Sequence, residues 1–193
     1  QGLSGRLAVA AAETPLAAGH VATGARFALA LRPNAMTIET YAANLDGGRL
    51  TGSLGISRAG SDATATLAAA LSGASAERAL GLPAAASPLA GTVDVKLDAQ
   101  GTGRSLAAIV SSLAGAGSIS LRDGTIRRLD PAAIDQIEPQ VEAGLALDGA
   151  RIAAALEAPL GRGDLTLRRL SAPFTISGGV ARSASLVSRA AAI

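Results

Sequence analysis

The sequence predicts a mainly β fold with helices, of the α+β class: a curved antiparallel β-sheet or groove with amphipathic helices packed on its apolar face or at its end. Three observations support this prediction. Apolar and polar residues alternate with period two in several segments, glycine-containing turn signals separate those segments, and short stretches with helical periodicity interrupt them. Hydrophobic residues make up 49% of the 193 residues but aromatic residues only 2%, so the core must consist of small aliphatic side chains.

The alternation divides each predicted strand into an apolar side and a polar side. Val93, Val95 and Leu97 share one side of the first clear segment, and Asp94 and Lys96 share the other. The same division recurs in three further segments: 118–122, 165–168 and 174–177. This pattern is typical of antiparallel strands that have one face in water. Lys96 is expected to neutralise Asp94 and Asp98 on the solvent side.

Turn signals between the predicted strands indicate hairpins. Asp-Gly and Gly-Gly pairs tolerate the positive φ angles that tight two-residue loops require. Such pairs occur within Asn44–Leu50, Leu121–Ile126 and Ile176–Ala181, with an aliphatic residue on either side of each pair. We therefore expect a hairpin in each of these three segments.

Helical periodicity appears in several short stretches. The stretch 105–114 has apolar residues at i, i+3, i+4 and i+7, namely Leu106, Ile109, Val110 and Leu113. Asp130 followed by Pro131 predicts the N-cap and first position of another helix, which opens a helical insert over 131–158. Further helices are expected at 149–156 and 76–80.

Composition and motifs argue against several classes of function. Arginines and acidic residues are interspersed, the formal net charge is only +2 and tryptophan is absent, which disfavours nucleic acid as a partner. The absence of cysteine excludes disulfides, zinc–thiolate sites and thiol catalysis. The single histidine, His20, has no acidic neighbour at ligand spacing, and no nucleophile elbow or phosphate-binding loop occurs. We expect no catalytic residue, no metal site and no cofactor.

The order of segments resembles a known family. Leu89–Asp130 and Leu167–Leu186 are similar to the C-terminal region of AsmA-family proteins, and so is Ala43–Ser57. The resemblance is distributed over strands and turns and has no single catalytic signature. It implies that residues 1–193 are one AsmA-like C-terminal module, a fragment of a longer Gram-negative envelope protein whose inner-membrane anchor lies outside this segment.

The resemblance also implies a periplasmic location and a bent sheet with a hydrophobic groove, as in bridge-like lipid transfer proteins. The function that it implies is phospholipid transport between membranes and outer-membrane biogenesis. Eleven apolar strand residues are the candidates to line the groove: Leu50, Leu54, Ile56, Leu67, Val93, Val95, Leu97, Ile119, Leu121, Phe174 and Ile176.

Two interpretations of these candidates remain open. In the first, the helices cover the apolar face completely, and the face is ordinary core. In the second, part of the face stays open and phospholipid acyl chains complete its burial. Each methylene removed from water would then stabilise the complex by ~0.8 kcal/mol. An alternative function is a structural scaffold that assists outer-membrane protein assembly through contacts of its strand edges with envelope assembly proteins, without carrying lipid. Both functions are non-enzymatic.

Overall fold

The computed structural model describes residues 4–16, 19–133, 158–183, 185 and 187–190. These residues form ten strands: β1 (Gly5–Pro15), β2 (Val21–Arg32), β3 (Ala35–Leu45), β4 (Gly48–Ala59), β5 (Asp62–Ser75), β6 (Leu89–Gly103), β7 (Ala114–Ile126), β8 (Leu165–Ser177), β9 (Val180–Ser183) and β10 (Val187–Ala190). All ten belong to one antiparallel sheet. Strands β1 to β8 pair in sequence order, and β9 and β10 both pair with β8. The fold is mainly antiparallel β with few short helices, as the alternation predicts.

Two of the three predicted hairpin turns are confirmed. Asp46 and Gly47, between β3 and β4, have φ angles of 52° and 83°. Gly178 and Gly179, between β8 and β9, have φ angles of 60° and 74°. Positive φ at both central residues gives a turn whose twist matches that of the flanking strands.

The prediction of a hairpin in Leu121–Ile126 is wrong. Strand β7 runs unbroken through this segment, and its pairing with β6 passes from Arg122 opposite Thr92 to Thr125 opposite Ala90, so that two residues of β7, Asp123 and Gly124, lie opposite the single residue Gly91 of β6. Asp123 has a φ of 48° inside the strand. Because a bulge and a tight turn both use left-handed backbone, the Asp-Gly pair signals either one. Because β7 pairs with β6 both before and after the Asp-Gly dipeptide, the dipeptide forms a bulge rather than a turn.

Two short helices lie where helical periodicity predicts them. Helix α1 (Ala76–Ala79) follows Ser75, whose hydroxyl accepts a hydrogen bond from the backbone N–H of Arg78 at 3.3 Å. Helix α2 (Leu106–Ser111) follows Ser105, whose hydroxyl accepts from the N–H of Ala108 at 3.2 Å. Both serines are N-caps that satisfy an otherwise unpaired amide. Helix α2 is shorter than the predicted stretch.

The helical insert is described only at its two ends. Pro131–Ala133 form a 3-10 turn, and the carboxylate of Asp130 accepts a hydrogen bond from the N–H of Ala132 at 3.0 Å, as expected of an N-cap. Residues 158–160 form a helical turn before β8. The rest of the insert, including the helix expected at 149–156, lies outside the described residues.

The connections between strands form two opposite rims of the sheet. The α1 rim consists of the described parts of the connections β1–β2, β3–β4, β5–β6 and β7–β8, and contains helix α1. The α2 rim consists of the connections β2–β3, β4–β5, β6–β7 and β8–β9, and contains helix α2. This alternation follows from the sequential order of antiparallel strands.

The buried side chains of the described residues are small. Nine apolar residues are buried; seven are alanines, and the other two are Leu121 and Leu167. A domain with two packed layers buries many large side chains between them. Within the described ranges, this chain is instead a single-layer sheet with a short helix at each rim.

Candidate functional site

The register of the sheet places all eleven candidate residues on one face, which we call the apolar face. Residues directly opposite each other on antiparallel strands share a face. Leu54 lies opposite Leu67, Val95 lies opposite Ile119, and the equivalent relations connect the remaining candidates through β4 to β8. The prediction of strand sides therefore matches the three-dimensional arrangement.

The apolar face also includes ten residues that sequence analysis did not propose, eight of them on β1, β2 and β3. The additional residues are Leu7, Val9, Phe27, Leu29, Leu31, Met36, Ile38, Tyr41, Leu71 and Leu170. All three aromatic residues of the chain lie on this face, and the rings of Phe27 and Tyr41 have centroids 6.3 Å apart. In β2, the alternation of Phe27, Leu29 and Leu31 in the sequence already indicates that these three side chains share one face.

The described residues leave the apolar face partly exposed. Leu121 is only 5% exposed, but Ile119, two positions earlier on the same strand and face, is 46% exposed. The other nine candidates are partly buried. Within the described ranges, the face is neither a sealed core nor fully open to solvent.

Glycines on the apolar face allow close approach of other groups. Helix α2 lies on the sheet at Gly101 and Gly103, because a Cβ at Gly101 would overlap the carbonyl oxygen of Ile109. The ring of Phe174 lies against Gly117 on the neighbouring strand, where a Cβ would overlap it. Glycine at these positions therefore determines how the helix and the ring sit on the face.

The opposite face of the sheet is polar. Asp94 accepts hydrogen bonds from Arg122 Nε at 2.6 Å, Arg122 Nη2 at 3.0 Å and the N–H of Gly73 at 2.9 Å. The hydrogen bonds from Arg122 in particular hold the pKa of Asp94 below its ordinary value of 3.8. The expectation that Lys96 neutralises Asp94 is wrong, since the ion pair forms across strands with Arg122.

Replacing Asp94 with asparagine is expected to reduce the acid sensitivity of the fold. Because folding lowers this pKa, the carboxylate stabilises the fold above its unfolded-state pKa, and that contribution is lost as the pH falls through the folded-state pKa. Urea titrations at pH 7 and pH 3 should show a smaller pH-dependent loss in unfolding free energy for Asp94→Asn than for the parent. Asp98→Asn is the matched control, because Asp98 lies on the same strand and face. If both variants showed the same pH-dependent loss of unfolding free energy, the conclusion that folding lowers the pKa of Asp94 would be wrong.

The polar face carries a shallow depression of about 580 Å³. Ser53, Thr66, Asp98 and Gln100 line it together with small alanine side chains. Because these side chains lie opposite the apolar face, the depression is not the hydrophobic groove that the resemblance implies.

His20 has a polar partner that sequence spacing did not reveal. Its Nδ1 lies 3.0 Å from Asp46 Oδ1, and the two side chains are 23% and 15% exposed. The residues are 26 positions apart but meet because both lie in the α1 rim. In the part of the chain that the structure covers, no three His, Asp or Glu side chains are grouped to hold a metal ion. The pair therefore links the β1–β2 connection to the β3–β4 turn.

No helix among the described residues has the length and hydropathy needed to cross a bilayer. The sequence model of the AsmA family matches residues 25–186, which is most of the chain. No curated protein and no solved structure matches this chain. On the extent of the family match, the chain belongs to the AsmA family.

Proposed function

We propose that this chain is a non-enzymatic, periplasmic module of an inner-membrane-anchored AsmA protein, and that its apolar face shields phospholipid acyl chains during transport between membranes in outer-membrane biogenesis. One observation carries the proposal. A single apolar face runs without interruption across β1 to β8, and the described residues leave it partly exposed. Family membership supports the connection to the envelope.

The dimensions of the face suit an acyl chain. Eight neighbouring strands at ~4.8 Å spacing span roughly 34 Å. One leaflet of a bilayer, and therefore one extended acyl chain, is roughly 15 Å deep. An acyl chain lying across the strands would thus contact several of them at once.

The energetics favour binding without specific polar contacts. Each methylene removed from water contributes ~0.8 kcal/mol, so ten methylenes contribute roughly 8 kcal/mol before the cost of ordering the lipid. The strongest contacts are expected where apolar side chains remain exposed, as at Ile119. The polar face, with its Asp94–Arg122 ion pair, keeps the other side of the sheet in water.

Photo-crosslinking from β7 tests this proposal. A photoreactive amino acid at Ile119 should give adducts with radiolabelled phospholipid, as should one at Val95 or Ile176. Ser118 is the matched control, because it neighbours Ile119 on the same strand but lies on the polar face opposite Lys96. Labelling confined to the three apolar positions supports a lipid-contacting face. Equal labelling at Ser118, or none at the apolar positions in protein that native mass spectrometry shows to carry lipid, would refute it.

A second candidate function is the scaffold that binds envelope assembly proteins through a strand edge. Strand β1 has 11 residues and, among the described strands, pairs only with β2, so its outer backbone groups are available to another strand. The other edge consists of two four-residue strands, β9 and β10, and short strands discourage edge pairing. A folded variant with serine at Val95, Ile119 and Ile176 separates the two functions. If this variant still captured assembly proteins but no longer bound lipid, the scaffold function would be favoured.

A further inference from the structure

We propose that the α2 rim docks onto an anionic membrane surface. The starting observation is a set of large apolar side chains that are exposed at this rim. On helix α2, Leu106 is 79% exposed and Val110 is 59% exposed, and at the start of β9 Val180 is 49% exposed. Leu106 and Val110 are four positions apart and therefore lie on the same side of the helix.

Contacts at both ends of α2 hold this apolar group in place. At the C-terminal end, the N–H of Gly179 donates a hydrogen bond to the carbonyl of Leu113 at 3.0 Å, which ties the β8–β9 turn to the segment that follows the helix. At the N-terminal end, Arg104 Nη2 donates to Ser61 Oγ at 3.0 Å, and Arg104 Nε lies 3.4 Å from Asp62 Oδ1. The helix is thus fixed between two turns of the rim, with Leu106 and Val110 exposed.

The described part of the α2 rim carries an excess of positive charge. We count the described connections together with the three strand residues next to each. The α2 rim then contains four exposed arginines and one acidic residue: Arg32, Arg58, Arg104, Arg182 and Asp62. The acidic residue, Asp62, is already paired with an arginine of the same rim.

The α1 rim provides the contrast. By the same count it contains five arginines, at 49, 78, 127, 128 and 162, and five acidic residues, at 13, 46, 77, 130 and 164. It also exposes apolar side chains, since Leu80 is 49% and Leu82 is 41% exposed. Exposed leucines therefore occur at both rims, but among the described residues the α2 rim alone combines them with an excess of positive charge.

This combination fits the interface of an anionic bilayer. Apolar side chains insert at the boundary between headgroups and acyl chains, while arginines interact with lipid phosphates. The arginines are spread along the rim from β2 to β9, seven strand spacings or roughly 34 Å. A line of charge of that length matches a planar surface better than a compact pocket of a protein partner.

Vesicle binding by the whole chain tests the docking. The parent should bind vesicles that contain phosphatidylglycerol, bind pure phosphatidylcholine vesicles far more weakly, and lose binding as salt is added. Leu106→Ser with Val110→Ser should weaken binding to the anionic vesicles at least about tenfold. Arg58→Gln and Arg182→Gln should each weaken it about fivefold.

Leu80→Ser with Leu82→Ser is the matched control, since it removes two exposed leucines from the α1 rim, whose described charges balance, and should leave vesicle binding unchanged. Circular dichroism of each variant establishes that it is folded. The proposal is overturned if the parent does not bind anionic vesicles, if neutral vesicles bind it equally, or if the control variant loses as much binding as the α2 variant. Docking does not depend on acyl chains occupying the apolar face. Crosslinking at Ile119 tests the occupation of the apolar face, and vesicle binding tests the docking.

Discussion

Replacing Leu121 with alanine is expected to lower the free energy of unfolding by about 2–5 kcal/mol, the usual cost of removing a buried leucine side chain. Leu121 is 5% exposed, and with Leu167 it is one of two large side chains among the buried apolar residues of the described chain. Its side chain fills the space above Gly124, where a Cβ would overlap it. Alanine would leave a cavity there, because the backbone of the paired strands cannot easily close it.

Ile119→Ala is the matched control for this prediction. Ile119 lies on the same strand and face, but it is 46% exposed, so its truncation should cost about 1 kcal/mol or less. Urea titrations of the two variants under the same conditions measure both values. Similar costs at the two positions would mean that the apolar face is uniformly buried, which would favour the core interpretation and weaken the lipid-contact proposal.

A second large effect is expected from Gly101→Val. The new Cβ would overlap the carbonyl oxygen of Ile109, which belongs to the backbone of α2 and cannot rotate away as a side chain can. We expect a loss of about 1–3 kcal/mol in unfolding free energy, the usual cost of overpacking, together with displacement of α2 from the sheet. Faster proteolysis within 104–113 would report that displacement.

Gly5→Val controls for introducing a β-branched residue into a strand. Gly5 begins β1, and a Cβ at this position would meet no atom within 4 Å. The substitution should therefore leave stability unchanged or slightly increase it, because valine is a good strand former. If Gly101→Val lowered stability no more than Gly5→Val does, the conclusion that α2 lies against the sheet at Gly101 would be wrong.

The predictions that succeeded from sequence concern local backbone structure. Alternation placed Val95, Ile119 and Ile176 on one side of their strands, since successive side chains of any strand point to opposite faces. Asp130 marks the start of the turn at Pro131–Ala133, because a side-chain oxygen next to the first turn can pair an amide that the turn leaves free. These features depend on residues within a few positions of each other.

Features that join distant segments were missed or assigned wrongly. Asp94 pairs with Arg122, 28 positions away, rather than with its neighbour Lys96. His20 meets Asp46 because two connections lie side by side at the α1 rim. The Asp123-Gly124 pair forms a bulge because β6 and β8 pair with β7 on both sides of it, a condition that the dipeptide itself does not encode.

The sequence by itself determined that the strands have one apolar and one polar side, where the short helices begin, and that the chain resembles the AsmA family. Only the tertiary structure decided how much of each apolar residue is buried. Leu121 and Ile119 are indistinguishable in the alternating pattern, yet one is covered and the other is half exposed. The reason is physical: the local backbone sets the direction of a side chain, but its burial depends on which groups from other segments lie against it.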